Sequence, residues 1–452
     1  MTAVAATPAD RIGMPFQAMP EPPRFGLAGH LPEWLGVDNA RGVLQRLLRY
    51  AEHCGPVARV SLGPVRMVVI SDPAIAADVL ADPRANHKGA VYGLTRVVLD
   101  NVLLLNGAAW SAHRRTYREA LRDVDVVGAA ELVTRRHVEA LAARGDAPLR
   151  LDREVLRLAG DVVGQFVAGV TLPATLEPHR ARVQYELAAV GIDLQCQPWT
   201  FLSPLRWLRL RRSVAAVRGF FRDAVRHRLA APTAAADVLA GFLALARTGE
   251  YGGDLEALQE GVVNVFFTAH DVLASSTAWT LYLLARHPDV QRDLRASLRA
   301  GDGDLLRRVV KEGLRLYPGY SLFGRTTRAP MTIGGYEVPR GTMLIASPFV
   351  THRLARHWPN PGEFDPGRWC GRPNGAPPPV ARDHYFPFGT GARGCLASHL
   401  AFPAIEAIVA GLVRAFDLRA DPEHDPGLEY WGTTHARHGM PVRLLRPPAD
   451  AA

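Results

Sequence analysis

Between Val57 and Ile70 two β-prone runs, VARVS and VRMVVI, flank Leu-Gly-Pro. Such runs around a glycine turn predict a hairpin. SDPAIAADVL follows, with Asp72 placed to cap a helix and Pro73 to open it. From Trp110 to about Ala230 the hydrophobic period is mostly helical, broken near 171–179 and 198–205. Residues 255–287 form the longest helical segment. Its stretch VVNVFFTAHDVLASSTAWTLYLLA is apolar almost all round, the mark of a buried central helix. A shorter helix is predicted over 303–316, stopping at Pro318. Two strands, MTI and TMLIAS, surround GGYEVPRG. Residues 351–394 are dense in proline and glycine and read as one long loop, a feature that is usually functional. The last helix is predicted from near Cys395 to about Phe416, and no segment repeats.

The pattern is mainly α with a smaller β portion. A chain of 452 residues, 48% hydrophobic, is large enough to enclose a cofactor. Residues 1–30 are proline-rich and read as a tail leading into the fold. They lack the basic and apolar regions of a signal peptide. No uninterrupted apolar run of roughly 18 residues occurs, so no transmembrane span is expected. Cys54, Cys196, Cys370 and Cys395 are far apart and form no CxxC, which supports neither a zinc cluster nor a disulfide frame. The expectation is a soluble, cytoplasmic, reduced protein. The formal net charge of +9 raises the question of nucleic acid. Only Lys88 and Lys311 among the 53 basic residues are lysines, and the arginines are interleaved with acids along the chain. That distribution argues against a nucleic-acid partner. Arg206, Arg209, Arg211 and Arg212 form one denser run, read as a solvated helix face or as a partner site.

The candidate chemistry gathers at the end of the long loop, where Phe388 to Ala397 reads FGTGARGCLA. Gly389, Gly391 and Gly394 permit a sharp turn and close backbone approach to a flat ligand. The turn delivers Cys395 to the start of a helix, where free N–H groups favour a thiolate. Arg393 can reach an anionic group. Taken alone, Cys395 has two readings, a buried structural cysteine or an axial ligand for haem iron.

The spacing F-G-x-G-x-R-x-C-x-[GA] resembles the haem-binding signature of the cytochrome P450 superfamily, with Ala397 in place of the more usual glycine. Further landmarks follow in order. Glu312 and Arg315 in KEGLRLYP match the family's ExxR helix, and Arg368 in PGEFDPGRW matches the third member of its structural triad. The resemblance implies a single large domain, about 31–446, with a buried haem b (iron protoporphyrin IX), and a short tail over 447–452. It implies Cys395 as the metal ligand and Phe388, Gly389, Arg393 and Ala397 as haem contacts. Trp110, Arg114 and Arg325 stand where the family binds the propionates, and His352 is a further candidate on that side. The implied function is a bacterial monooxygenase that oxidises a small lipophilic substrate, in secondary metabolism. Its electrons would come from a separate ferredoxin with its reductase or a flavodoxin-type donor.

The central helix departs from the family's pattern. Thr268-Ala269-His270-Asp271-Val272-Leu273 aligns with [AG]-G-x-[DE]-T-[TS]. Asp271 supplies the acid, but Val272 stands where the threonine hydroxyl is expected. Thr268, one turn earlier on the same face, either holds the missing water or bonds back to its own helix. A substrate hydroxyl could also complete the relay. Alternatively the enzyme uses peroxide or performs coupling or rearrangement. A non-enzyme reading is a haem sensor or scaffold. Family placement gives Phe267, Thr268, Val272, Leu273, Leu322, Phe323, Thr433 and Thr434 as pocket lining, and VYGLTRVVLDNVLLLNG as its cover.

Overall fold

The computed structural model describes residues 13–34, 42–89, 104–183, 204–251, 254–370 and 384–447. Its longer helices are α1 (Val43–Cys54), α2 (Pro73–Ala81), α3 (Gly107–Ala120), α4 (Val126–Ala142), α5 (Leu151–Ala168), α6 (Pro204–Ala230), α7 (Val238–Arg247), α8 (Leu255–Arg286), α9 (Pro288–Arg299), α10 (Asp304–Leu316) and α11 (Ser398–Ala415). The strands are β1 (Met14–Pro15), β2 (Val57–Leu62), β3 (Val65–Ile70), β4 (Leu149–Arg150), β5 (Phe323–Thr326), β6 (Met331–Ile333), β7 (Tyr336–Val338), β8 (Met343–Ala346), β9 (Asp417–Ala420), β10 (Leu428–Tyr430), β11 (Thr434–Ala436) and β12 (Pro441–Leu445). They form sheets ordered β2-β3-β8-β5, β1-β7-β6 and β4-β12-β9, plus the hairpin β10-β11.

The mainly helical reading is correct, and α8 is its axis. Asp254 caps it by accepting from the Ala257 N–H, and α5, α6, α10 and α11 pack around it. Most of its apolar surface therefore finds partners. Truncating one fully buried ring such as Phe266 to alanine costs about 3–5 kcal/mol. The predicted hairpin forms with Val57 opposite Ile70 and Leu62 opposite Val65. Asp72 accepts from the Ala74 and Ile75 N–H groups at 3.0 Å each, as a cap should. Strand β8 lies parallel to β3 and antiparallel to β5, which carries Phe323 and Arg325 into the interior.

The structure differs from the sequence reading at several places. Residues 13–30 are not a tail: Met14 pairs with Tyr336, and Phe16 and Met19 are buried. Extended proline-rich backbone can still add a short strand where few N–H groups are required. Tyr336–Val338, expected as connection, is strand β7, because Gly334 and Gly335 take positive φ and close a hairpin with β6. Helix α11 starts at Ser398, three residues after Cys395. This helix is long and apolar enough to cross a membrane by length and composition. That does not show a span, since its buried residues pack on α4 and α8. The exposed Arg209, Arg211 and Arg212 lie on α6, whose other face packs on α8 and α5. Cys196, part of the long loop (371–383) and most of the expected pocket cover (91–103) lie outside the described residues.

One buried ion network ties α10 to the chain leading toward Cys395. Arg315 spends all five N–H donors. Two go to Glu312 at 2.9 Å, and the others to the carbonyls of His352 (2.8 Å), Pro361 (2.7 Å) and Glu363 (2.9 Å). Glu312 also accepts from Arg368 Nε at 2.9 Å, the Asp365 N–H at 3.1 Å and Trp369 Nε1 at 3.0 Å. Glu312 and Arg315 are both fully buried. Removing one partner of such a pair leaves an uncompensated charge and costs about 3–5 kcal/mol. Glu312→Ala is therefore expected to lower the unfolding free energy, measured by urea denaturation, by that amount. A change below about 1 kcal/mol would contradict the bracing role.

Candidate active site

The loop before α11 is shaped by its own backbone. The Cys395 N–H donates to Phe388 O at 2.9 Å, and the Gly394 N–H to Gly391 O at 3.0 Å. Gly389 and Gly391 both take φ +69°. A Cβ on Gly389 would lie 3.0 Å from the Phe323 ring, and one on Gly391 would collide with the Leu80 carbonyl. Both positions require glycine for conformation and for space. Phe388 and Ala397 pack against the hydrophobic core around α8.

Cys395 is deep yet accessible. Burial pushes its thiol up, opposed by the Ala397 N–H and the charge of Arg114. Its side chain nevertheless remains exposed, so it faces an internal cavity rather than packed protein. Tyr320 behaves likewise: burial raises its phenol while the residue stays 36% exposed. On α8, only Thr268, Ala269 and Val272 between Gly261 and Tyr282 are not fully buried. Their spacing puts them on one helix face, which therefore lines a cavity.

Four cations gather beside the Cys395 loop. Arg114 donates to Gly394 O at 2.6 Å. Arg393 donates to Asn86 Oδ1 at 2.6 Å, Leu105 O at 2.8 Å and Asn106 Oδ1 at 2.9 Å, and stacks over Trp110 at 4.5 Å. Arg325 is buried on β5 and donates to Gly324 O at 2.9 Å. Lys88 donates to the same carbonyl at 3.1 Å. Burial, with Arg325 and Arg114 nearby, holds Arg393 down at about 10. Burial together with Arg325 and Arg393 holds Lys88 well below the usual lysine range. Like charges so placed are complementary to a ligand carrying more than one negative charge. A buried thiol beside a glycine turn, next to such a cluster, fits a flat dianionic iron porphyrin. Cys395 would hold the iron, and Arg114, Arg325, Arg393 and Lys88 would face the carboxylates.

His352 is placed elsewhere. Nδ1 lies 3.3 Å from Arg315 O and Nε2 accepts the Phe386 N–H at 3.1 Å, so both ring nitrogens bond backbone. The ring stacks on Tyr385 at 5.3 Å. It bridges α10 to the loop before Cys395 and has no nitrogen left for a carboxylate. That corrects its assignment to the propionate side.

The pocket candidates also divide. Val272, Thr268, Leu322 and Phe323 keep partial exposure. Phe267 and Leu273 turn away from the open face of α8 into packed core. Thr434 is structural: its carbonyl accepts from Ser275 Oγ (2.5 Å) and Trp279 Nε1 (3.1 Å), fastening β11 to α8. Thr268 donates its hydroxyl to Asn264 O at 2.8 Å and Val265 O at 3.1 Å, so it bonds back to its own helix. His270 stacks on Phe266 at 4.9 Å and is a core residue. Asp271 does find an alcohol, but from the hairpin, because Thr433 donates its hydroxyl to Asp271 Oδ2. His435 Nε2 lies 2.6 Å from Thr433 Oγ1 and 3.4 Å from Asp271 Oδ2. Burial works against the Asp271 charge, but His435, His270 and Thr433 outweigh it and hold the carboxyl at about 2.

Lys88, Tyr320 and His435 were missed by sequence reasoning. Lys88 carried a signal, being one of two lysines in an arginine-dominated chain. Tyr320 and His435 carried none. The cluster yields a prediction. Arg325→Leu removes one charge-assisted contact, worth about 1.5–3 kcal/mol, and should speed haem transfer to apomyoglobin roughly ten- to one-hundred-fold. A loss rate unchanged within about twofold would place the carboxylates elsewhere.

The comparisons agree with this geometry. The family model for Cytochrome P450 matches residues 19–435. Cytochrome P450 4V2 of Rattus norvegicus is 25% identical, with 90% of this chain and 86% of that protein covered. Cyclooctatin synthase of Streptomyces melanosporofaciens is 28% identical, with 88% and 89% covered. The crystal structure of the cytochrome P450DA heme domain superposes with a TM-score of 0.81 at 18% identity, over 98% of this chain and all of that one. With the haem-thiolate turn, the ExxR network and a family match across most of its length, this chain belongs to the cytochrome P450 family and is a haem-thiolate monooxygenase.

Proposed function

We propose that this protein is a bacterial, cytoplasmic enzyme carrying haem b that hydroxylates, or otherwise oxidises, a small lipophilic compound of secondary metabolism. The cavity wall carries the reading. Val272, Leu322 and Phe323 give it an apolar surface, and Tyr320, whose ring lies 5.6 Å from Phe323, adds a phenol. Walls of this kind bury apolar ligands and orient them with few polar groups. The Streptomyces relative, named as a synthase of cyclooctatin, supports a biosynthetic setting.

The haem, when bound, supplies oxygen activation assisted by the Cys395 thiolate. The chain's residues hold and orient. Arg114, Arg325, Arg393 and Lys88 neutralise carboxylates, while Val272, Leu322 and Phe323 exclude water from the substrate side. Electrons are proposed to come from a ferredoxin with its reductase, or from a flavodoxin-type protein. Arg115 and Arg118 are exposed on α3, the helix whose Arg114 meets Gly394 of the Cys395 loop, and suit an acidic partner.

Val272 favours a second reading, peroxide-driven oxidation, because the helix offers no free hydroxyl at its position. The test is a spin-state screen of lipophilic compounds, then turnover of each hit with ferredoxin, reductase and NAD(P)H or with hydrogen peroxide alone. The first reading expects reductant-dependent product. Product from peroxide alone supports the second, and no spin-state change with any compound would leave a haem-binding sensor. Thr268→Val should leave rate and coupling within about twofold, since its hydroxyl bonds to its own helix. A larger loss would restore Thr268 as the water-holding residue.

A further inference from the structure

A second cavity lies on the other side of Asp271, with a volume of about 320 Å³. Residues of α5, 177–183, α8 and the β10–β11 hairpin line it. Its rim includes Arg153 and Ala181, which are exposed, and its inner end reaches Asp271 and His435. The cavity thus leads from the surface to the acid of the central helix.

His435 is built into its wall in an unusual way. One edge of the ring bonds inward: Nε2 donates to Thr433 Oγ1 at 2.6 Å, and Thr433 donates in turn to Asp271 Oδ2. The rest of the ring faces the cavity, and the side chain keeps 34% of its exposure, against 2% for Asp271. Three carboxylates face it from three elements: Asp271 on α8, Glu429 directly across the hairpin, and Asp152 on α5. Arg153 and Arg180 complete the charged lining. Arg180 donates to Leu156 O at 2.9 Å. The neighbouring His270 is committed to Phe266.

We propose that His435 is the proton-relay residue of this enzyme, acting through Thr433 and Asp271 and fed by water from the second cavity. Monooxygenation consumes protons as it releases water, so the site needs a supply. In the relay, His435 gives its Nε2 proton to Thr433 Oγ1 while Thr433 passes its own proton to Asp271 Oδ2. Asp271 hands that proton to the distal side. His435 is left neutral with its remaining proton on Nδ1, and after the ring swings toward the cavity Nε2 takes a proton from a hydronium ion there, leaving water. Charge and protons then balance, and no further reactant is required. Burial opposes the imidazolium, but Asp271, Glu429 and Asp152 overcome it and raise His435 above the ordinary histidine value. At rest the proton therefore sits on His435 and Asp271 is ionised.

The relay is complete below the folded pKa of His435 and is lost as pH rises through it. This inference rests on the monooxygenase chemistry of the family and not on the identity of the substrate.

The test uses the holoenzyme with a surrogate ferredoxin and ferredoxin reductase, without added substrate, from neutral to alkaline pH. Hydrogen peroxide released per reductant consumed is measured for wild type, His435→Gln and Thr433→Val. The His435 imidazole is followed by histidine-selective carbon-13 NMR in the ferrous carbonyl state. In wild type the peroxide share should rise as His435 loses its proton. His435→Gln should show a high share already at neutral pH, about three- to tenfold above wild type, with no inflection. Thr433→Val keeps the ion pair but breaks the bridge, so it should raise the peroxide share while His435 still titrates above its ordinary value. A purely structural His435 would lower melting temperature and haem content without changing the pH profile per haem. The proposal is overturned by a wild-type share that ignores pH, by variants matching wild type throughout, or by an imidazole titrating at or below the ordinary value. Failure of the proposed substrate class or electron donor would leave the imidazole titration unchanged, which separates the two.

Discussion

The saturation of Arg315 is the constraint on which the active site depends. A guanidinium deep in a protein is tolerable only when every donor is met and the charge is balanced. Glu312 balances it, and three backbone carbonyls between 352 and 363 complete it. Those carbonyls belong to a proline- and glycine-rich stretch with little regular structure of its own. The network therefore fixes a loop that hydrogen-bonded ladders do not fix. His352 continues the same tie, joining the end of α10 to Phe386 and thus to the start of the thiolate turn. Side-chain chemistry replaces secondary structure as the frame for Cys395.

Electrostatics divides the molecule around α8. One side collects Arg114, Arg325, Arg393 and Lys88, whose like charges are complementary to an anionic ligand. The other side pairs Asp271 with His435, a self-sufficient charge pair with a hydroxyl between them. The helix separates the two with a face of Thr268, Ala269 and Val272 that carries no charge. A dianionic cofactor and a proton store thus occupy neighbouring regions without neutralising each other.

Much of this was legible in the sequence, for identifiable reasons. The hairpin at Val57–Ile70, the cap at Asp72 and the central helix follow from local period and local capping, which a linear reading captures. The thiolate turn and ExxR network were legible through their resemblance to the family's motifs, whose spacing a rigid ligand and a saturated charge hold closely. The short strands β9 to β12 were not, since three to five residues make no period and their pairing is set by distant partners. The same non-locality hid His435. Nothing near it in sequence announces that it meets Asp271, more than 160 residues earlier. Family placement makes Thr433 and Thr434 substrate lining. One instead serves the acid and the other fastens the hairpin.

The fastening of β11 to α8 has a consequence for how this enzyme can change. Ser275 and Trp279 grip the Thr434 carbonyl, while its neighbours Thr433 and His435 attend Asp271. Variation that reshapes the pocket through this hairpin disturbs the acid at the same time. Variation at Leu322 and Phe323 does not touch that arrangement. Divergence toward new substrates, natural or directed, has its freer path through the 320–323 segment.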